Sequence, residues 1–173
     1  MSALDLFWLV VALPFAGAAL NGLFLPNRKS LVTAVALGAP GLSLLTALAA
    51  LWQYGHGIAP APFEQILWTW NAGELVIPVA FLLDPLSAVM VTVVTVVGFL
   101  IHVYAVGYMA GHRGYQRFFA YMNLFMGAML LLVLGNNFLV PFVGWEGVGL
   151  CSYLLIGFYY EEEFPPYAGR KAF

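Results

Sequence analysis

The stretch that decides the fold is PLSAVMVTVVTVVGFLIHVYAVGYM, residues 85–109. It contains no Asp, Glu, Lys or Arg and forms one continuous apolar run. A helix of about 20 mostly apolar residues crosses the roughly 30 Å hydrocarbon core of a bilayer. The run is too long and too continuous for the roughly ten-residue alternating strands of a membrane β-barrel. It therefore predicts a transmembrane α-helix.

The composition of the whole chain agrees with this interpretation. Of its 173 residues, 63% are hydrophobic and only 8% are charged, and the mean hydropathy is +0.92. Soluble domains carry roughly 25% charged residues. We therefore predict an all-α integral membrane protein with five transmembrane helices. The predicted spans are Leu4–Leu25, Leu31–Trp52, Pro85–Met109, Gln116–Gly135 and Asn137–Tyr160.

Two segments need separate interpretations. The N-terminal run is predicted to be a retained first span, because Asp5 is the only charge before Arg28 and a signal peptide needs a basic start. The long connection before residue 84 carries apolar runs on both sides of Asn71-Ala72-Gly73. This pattern predicts a β-hairpin on the membrane surface, where Trp68 and Trp70 suit the interfacial belt.

The basic residues predict the orientation. With five spans, all six Lys and Arg residues fall on one side, which the positive-inside rule makes the cytoplasm or the mitochondrial matrix. The N-terminus, the hairpin and the Asn136-Asn137 turn then face outward. We divide the chain into residues 1–83, with two spans and the hairpin, and residues 84–173, with spans three to five. The six basic residues are Arg28, Lys29, Arg113, Arg117, Arg170 and Lys171.

Several classes of site have no sequence support. Cys151 is the only cysteine, and no glycine-rich nucleotide loop or Cys–His zinc spacing occurs. We therefore expect no cofactor-binding site, no metal site, no redox centre and no nucleic-acid partner for this chain. The surrounding lipid bilayer is the partner that the composition implies.

Glu146 is the candidate functional residue. It lies near the middle of the fifth span, where an acid costs roughly 2.5–3.5 kcal/mol on insertion scales. Desolvation favours a neutral carboxyl group and a nearby cation favours the charged form, so an acid balanced between them can carry protons. The alternative is a protonated glutamate that only bonds a neighbouring helix. Nearby glycines, among them Gly144, Gly147 and Gly149, either leave room for water or serve helix packing.

Two other titratable residues are candidates with simpler explanations. His102 lies late in span three, where it could belong to a proton route or be a histidine satisfied at a helix interface. Asp84 directly precedes Pro85 and is predicted to cap that helix. The last residues, after a polar loop over 161–166, look like the approach to another helix. We therefore expect the chain to stop inside a longer protein.

The sequence also resembles a known family. GWEGVGLCSYLLIGFYY (144–160) is similar to the fifth-helix motif of the L subunit, or mitochondrial chain 5, of proton-pumping NADH:quinone oxidoreductase, respiratory complex I. DPLSAVMVTVVTVVGFLIHVYAVGYM (84–109), FFAYMNLFMGAMLLLVLGNN (118–137) and GRKAF (169–173) resemble its third helix, its fourth helix and its approach to helix six. The resemblance is good over residues 84–173 and loose over the first two spans.

The resemblance implies a fold and a role. The family has an antiporter-like fold with two inverted five-helix repeats, so this chain would hold only the start of it. Glu146 matches the family's essential helix-five glutamate, whose lysine partner would lie on a later helix, beyond Phe173. Flavin, iron–sulfur clusters, NADH and quinone would be handled by other subunits, and neighbouring antiporter-like membrane subunits would be partners.

The resemblance therefore predicts a proton-translocating subunit of the oxidoreductase complex, enzymatic only as part of that complex. Its expected location is the bacterial plasma membrane or the mitochondrial inner membrane. Two alternatives remain at this point: a subunit of an Mrp-type cation/proton antiporter, which shares the Trp–Glu core, and a structural membrane module in which Glu146 only holds helices together.

Overall fold

A computed structural model describes residues 2–25, 28–58, 61–161 and 164–172. Pro26 and Asn27 of the first turn, and Glu162 and Glu163 of the predicted polar loop, lie outside the described residues. The described part is mostly helical, with one two-stranded sheet. In chain order the elements are α1 Leu9–Ala19, a π-helix Leu20–Phe24, α2 Lys29–Gly55, β1 Phe63–Ala72, β2 Leu75–Leu83, α3 Pro85–Tyr108, α4 Tyr115–Leu134, α5 Leu139–Ile156 and α6 Phe164–Ala172.

Within the described residues, α2, α3, α4 and α5 are long and apolar enough to cross a membrane. They match four of the five predicted spans to within about four residues at each end. The first predicted span, Leu4–Leu25, differs: residues 3–8 form turns, and only Leu9–Phe24 is helical. Hydrogen bonds between residues three apart take the place of the first α-helical turn; for example, the Leu6 N–H donates to the Ala3 oxygen at 3.2 Å.

Asp84 caps α3 as predicted. Its carboxylate accepts the backbone N–H of Ser87 at 2.7 Å, and the Ser87 hydroxyl lies 2.8 Å from the Asp84 nitrogen, so the two residues form a reciprocal capping box. Pro85 follows at the first helical position, where a missing N–H costs nothing. The N–H of Ser87 lowers the pKa of the Asp84 carboxyl group.

The predicted hairpin is present, but its turn lies further along the chain than expected. The two-residue loop is Gly73-Glu74, closed by the pair Ala72–Leu75, and Asn71 belongs to strand β1. Gly73 has φ +67°, a conformation that glycine adopts without steric cost, as the first residue of a hairpin turn often requires. The predicted turn at Asn71-Ala72-Gly73 was therefore wrong in its register.

The hairpin packs on the N-terminal residues and on the link between α4 and α5, at one end of the bundle. The amide of Gln65 donates to the Asp5 carbonyl at 3.0 Å. The backbone N–H of Asn136 donates to the Ala80 carbonyl at 3.1 Å, and its side chain donates to Glu64 at 2.5 Å. The N-terminus, the hairpin and the link between α4 and α5 thus share one end of the molecule.

Basic residues lie at the opposite end. The Lys29 ammonium donates to the Ala110 carbonyl, and the Arg117 guanidinium lies 4.9 Å from the ring centre of Phe158. This arrangement has the polarity that the positive-inside rule requires, while the direction relative to a membrane stays a prediction. Helix α4 lies at the centre, in contact with α1, α2, α3 and α5.

Candidate functional site

The helix that carries Glu146 begins at a well-capped end. The side-chain oxygen of Asn137 accepts the backbone N–H groups of Leu139 at 2.9 Å and Val140 at 3.0 Å. These are donors that the first helical turn cannot satisfy by itself. The Asn137 amide nitrogen donates in turn to the Pro78 carbonyl at 2.5 Å, so the hairpin fixes the start of α5. Pro141 lies in the same first turn.

One face of α5 packs very closely against α4 through glycines. A Cβ atom on Gly144 would lie 2.5 Å from the backbone nitrogen of Leu132, and one on Gly147 would lie 3.0 Å from the Ala128 Cβ. Small residues allow such close helix approach in membranes. For these two glycines, packing is therefore the correct interpretation, and they do not leave space beside the carboxylate. A Cβ on Gly149 would meet no described atom within 4 Å, so this third glycine borders open space.

Glu146 lies on the other face of α5. The residue is exposed, and so are its neighbours on this face, Trp145 at 62% and Phe142 at 52%. It comes seven residues after Leu139, which places it roughly 10 Å along an 18-residue helix about 27 Å long. The predicted mid-span depth is therefore consistent with the helix that forms.

The surroundings of this carboxylate are apolar. In the part of the chain that the structure describes, no side chain forms a hydrogen bond or ion pair with Glu146. The hydroxyl of Ser152, further along the helix, donates to its own Val148 carbonyl at 2.9 Å. The acid thus lies near the middle of α5 on an exposed helix face, and the described residues give it no charge partner.

His102 lies elsewhere in the bundle. It is fully buried on α3, its Nδ1 is 2.7 Å from the Gly98 carbonyl oxygen, and its ring centre is 6.4 Å from that of Phe119. Its Nε2 has no partner among the described residues. The ring borders an otherwise apolar cavity of about 460 Å³ between α3 and α4. The structure does not bring His102 and Glu146 together, because α3 packs on α2 and α4 while Glu146 points away from α4.

Two buried asparagine side chains were not predicted to be of interest from the sequence. Asn21 and Asn123 are both fully buried, and the described residues offer neither side chain a hydrogen-bond partner. Polar amides inside the apolar runs of spans one and four were the signal that could have identified them, as intramembrane polar residues are costly and usually have a role.

The chain is similar to several known proteins. The family model described as NADH-ubiquinone oxidoreductase (complex I), chain 5 N-terminus, matches residues 68–119. NADH-quinone oxidoreductase subunit L of Escherichia coli K12 is 45% identical over 173 residues, which cover 98% of this chain. The chain belongs to the subunit L family. The subunit L of Pseudomonas aeruginosa is 49% identical over 148 residues, or 84% of this chain.

The chain spans about a quarter of the length of these relatives, namely 28% of the Escherichia coli subunit and 24% of the Pseudomonas one. The match confirms the predicted family, and with it a membrane protein whose relatives are subunits of a multi-subunit complex.

Solved structures agree with the fold. A chain of the membrane-bound sulfane sulfur reductase, an archaeal respiratory membrane complex, aligns with a TM-score of 0.73 at 20% identity, covering 94% of this chain and 24% of that one. A chain of the Mrp complex from Dietzia sp. DQ12-45-1b aligns with a TM-score of 0.66 at 26% identity, covering 87% and 16%. The helical arrangement is therefore that of antiporter-like membrane subunits.

Proposed function

We propose that this chain forms the opening helices of a proton-translocating membrane subunit of NADH:quinone oxidoreductase, with Glu146 as an intramembrane proton carrier. Residues 84–173 would begin the antiporter-like module, and residues 1–83 would flank it. The observation that carries the proposal is a single acid at mid-span on the uncovered face of α5, in a chain that is 45% identical to subunit L.

The exposed position of Glu146 supports a covering by further protein. A carboxylate that faced hydrocarbon would cost several kcal/mol, which is why intramembrane acids face other helices or water. The same face carries Trp145 and Phe142, which offer apolar area for packing. Relatives that are about four times as long have the additional chain to cover this face.

A covered Glu146 needs a polar partner to carry protons. A cation on the covering helix would stabilise the carboxylate, and movement of that cation would release the acid to take up a proton. The family resemblance identifies the partner as a lysine on a later helix. On this proposal the chain itself holds no redox group, and flavin and iron–sulfur clusters belong to other subunits.

The orientation forms part of the proposal. Lys29, Arg113 and Arg117 lie at the end of the bundle opposite the hairpin, so this end would face the cytoplasm of a bacterium or the mitochondrial matrix. The N-terminus and the hairpin would face outward. Protons would then be carried past Glu146 from the basic end towards the hairpin end.

The test compares two carboxylate-to-amide variants in the complete oxidoreductase. Glu146→Gln removes the titratable group, whereas Asp84→Asn keeps a capping oxygen at a residue outside the spans. In membrane vesicles that oxidise NADH, we expect Glu146→Gln to assemble normally and to lose most of the pH gradient. The Asp84→Asn vesicles should form a normal gradient. A normal gradient from assembled Glu146→Gln complex would show that the carrier proposal is wrong.

Cation/proton antiport is a second candidate, favoured by the structural similarity to a chain of the Mrp complex. A transport assay distinguishes the two functions without any mutation. An antiporter subunit would exchange sodium for protons across vesicles without NADH, and an oxidoreductase subunit would depend on NADH oxidation.

A further inference from the structure

The interface that α1 and the following π-helix form with α4 contains two buried amide side chains that have no hydrogen-bond partner among the described residues. All four polar side-chain atoms of Asn21 and Asn123 are shielded from solvent and lack hydrogen bonds to the described residues. Native structures leave few buried polar groups unsatisfied, and each exception calls for a cause such as an ordered water molecule. Two such amides on facing helices point to a shared cause.

The geometry of the helices places both amides on this interface. The side-chain carbon Cγ of Asn123 lies only 3.3 Å from where a Cβ of Gly17 would be, so Asn123 lies directly over α1. Asn21 follows Gly17 by four residues and is therefore on the same helix face. Gln116, seven residues before Asn123 on α4, donates to the backbone oxygen of Asn21 at 2.7 Å.

The local backbone at Asn21 is also unusual. Asn21 lies in the π-helix Leu20–Phe24, and the N–H of Leu25 closes it by donating to the Leu20 carbonyl at 2.9 Å. Such π-helical turns are rare inside α-helices and occur frequently at functional sites. The backbone carbonyl groups of Asn21 and Leu25 both accept hydrogen bonds from the Gln116 side chain on α4, at 2.7 and 2.9 Å.

A polar cavity adjoins this site. It has a volume of about 480 Å³, lies at the basic end of the bundle and has Asn21 among its lining residues. Gln116, Arg113 and Arg117 also line it, so its walls offer donors to water. It is a different place from the face of Glu146, because α5 packs on α4 through Ala128 and Leu132, on the opposite side from Asn123.

We propose that the α1–α4 interface is an internal water site, in which water from the basic cavity hydrogen-bonds to the side chains of Asn21 and Asn123. Each amide has two N–H donors and a carbonyl acceptor, and a buried water makes two to four such bonds. We assign water as the ligand because each side chain has both unpaired donors and an unpaired acceptor among the described residues, and one water molecule can both accept from the amide N–H and donate to the amide oxygen. This inference is independent of the role proposed for Glu146.

Cysteine accessibility tests the site in the assembled complex. In a Cys151→Ser background, Asn21→Cys and Asn123→Cys are treated with a small charged methanethiosulfonate reagent, and modified peptides of this subunit are quantified by mass spectrometry. Leu130→Cys is the matched control, since Leu130 is equally buried on α4 but belongs to the apolar core. We expect both asparagine positions to react at least tenfold faster than Leu130→Cys. Equal rates would overturn the proposal.

A high-resolution density map of the unmodified complex provides a second test, which does not depend on the assembly of any variant. At a resolution that shows ordered solvent, we expect a water peak within 3.5 Å of a polar side-chain atom of Asn21 and another, or the same one, beside Asn123. A direct amide-to-amide hydrogen bond with no solvent peak at either residue would refute the water site.

Discussion

Gly144→Ala should separate α4 from α5, and the size of the effect follows from one contact. The new Cβ would lie 2.5 Å from the Leu132 nitrogen and 2.7 Å from its Cα, whereas ordinary contact begins at 3.4 Å. The contact of 2.5 Å is about 0.9 Å shorter than the ordinary 3.4 Å, so the two helices have to move apart locally by about that distance. The clashing atoms are backbone, so no side-chain rotation relieves the contact, and overpacking of this kind costs about 1–3 kcal/mol.

Gly149→Ala is the matched control for this variant. Both glycines are inside α5, so both substitutions gain the same helix propensity, about 1 kcal/mol. A Cβ at Gly149 meets no described atom within 4 Å, so this variant has the gain without the clash. The difference between the two variants therefore isolates the helix–helix contact.

The assay is unfolding of the 173-residue chain in mixed micelles, followed by far-ultraviolet circular dichroism as the fraction of sodium dodecyl sulfate rises. We expect Gly144→Ala to unfold at a lower fraction than Gly149→Ala, with a difference in unfolding free energy of about 1–3 kcal/mol. Equal midpoints for the two variants would refute the close α4–α5 contact.

Further predictions concern the two caps. Asn137→Ala should destabilise the chain by about 1–2 kcal/mol in the same assay. The substitution removes the acceptor of the Leu139 and Val140 N–H groups and the donor to the Pro78 carbonyl. Asn136→Ala is the control and should cost less, because it removes one exposed side-chain hydrogen bond. Asp84 should make the unfolding free energy of the chain depend on pH in the acid range. Its folded-state pKa lies below the ordinary 3.8, so its contribution is complete above that value and is lost as pH falls through the folded-state pKa. Unfolding midpoints across the acid range should therefore fall more steeply for the unmodified chain than for Asp84→Asn, and parallel curves would contradict the cap.

The positions of the helices could be predicted because a span is decided by a simple quantity, the length of an apolar run. The hairpin was predictable from the two apolar runs on either side of an Asn/Gly segment, but the position of its turn was not. The sequence offered Asn71 and Gly73 as turn residues, and pairing along the whole strands selected Gly73-Glu74 instead. The start of the first helix depended on local bonds near Leu6 that hydropathy does not report.

The sequence predicted that Glu146 lies near the middle of a helix, and it did not predict the direction in which the acid faces. Apart from Glu146 and Ser152, helix α5 carries apolar or small residues on every side, so the pattern of its sequence does not indicate which face meets α4. Backbone contacts decided this, since Gly144 and Gly147 permit the close approach to Leu132 and Ala128. Once these glycines face α4, Glu146 has to face outward.

The two sides of α4 therefore separate two polar features. On one side, the glycines of α5 pack against α4, so Glu146 faces away from α4 towards the chain that would cover it. On the other side, Asn123 and Asn21 are buried at the contact with the first helical segment, and Asn21 also lines a cavity at the basic end. A substitution at either amide leaves the α5 contact surface unchanged, as Asn123 and Ala128 lie on different faces of α4. Loss of proton transfer in an amide variant that still binds α5 normally would thus indicate coupling through α4 itself, and unchanged transfer would indicate that the water site serves packing alone.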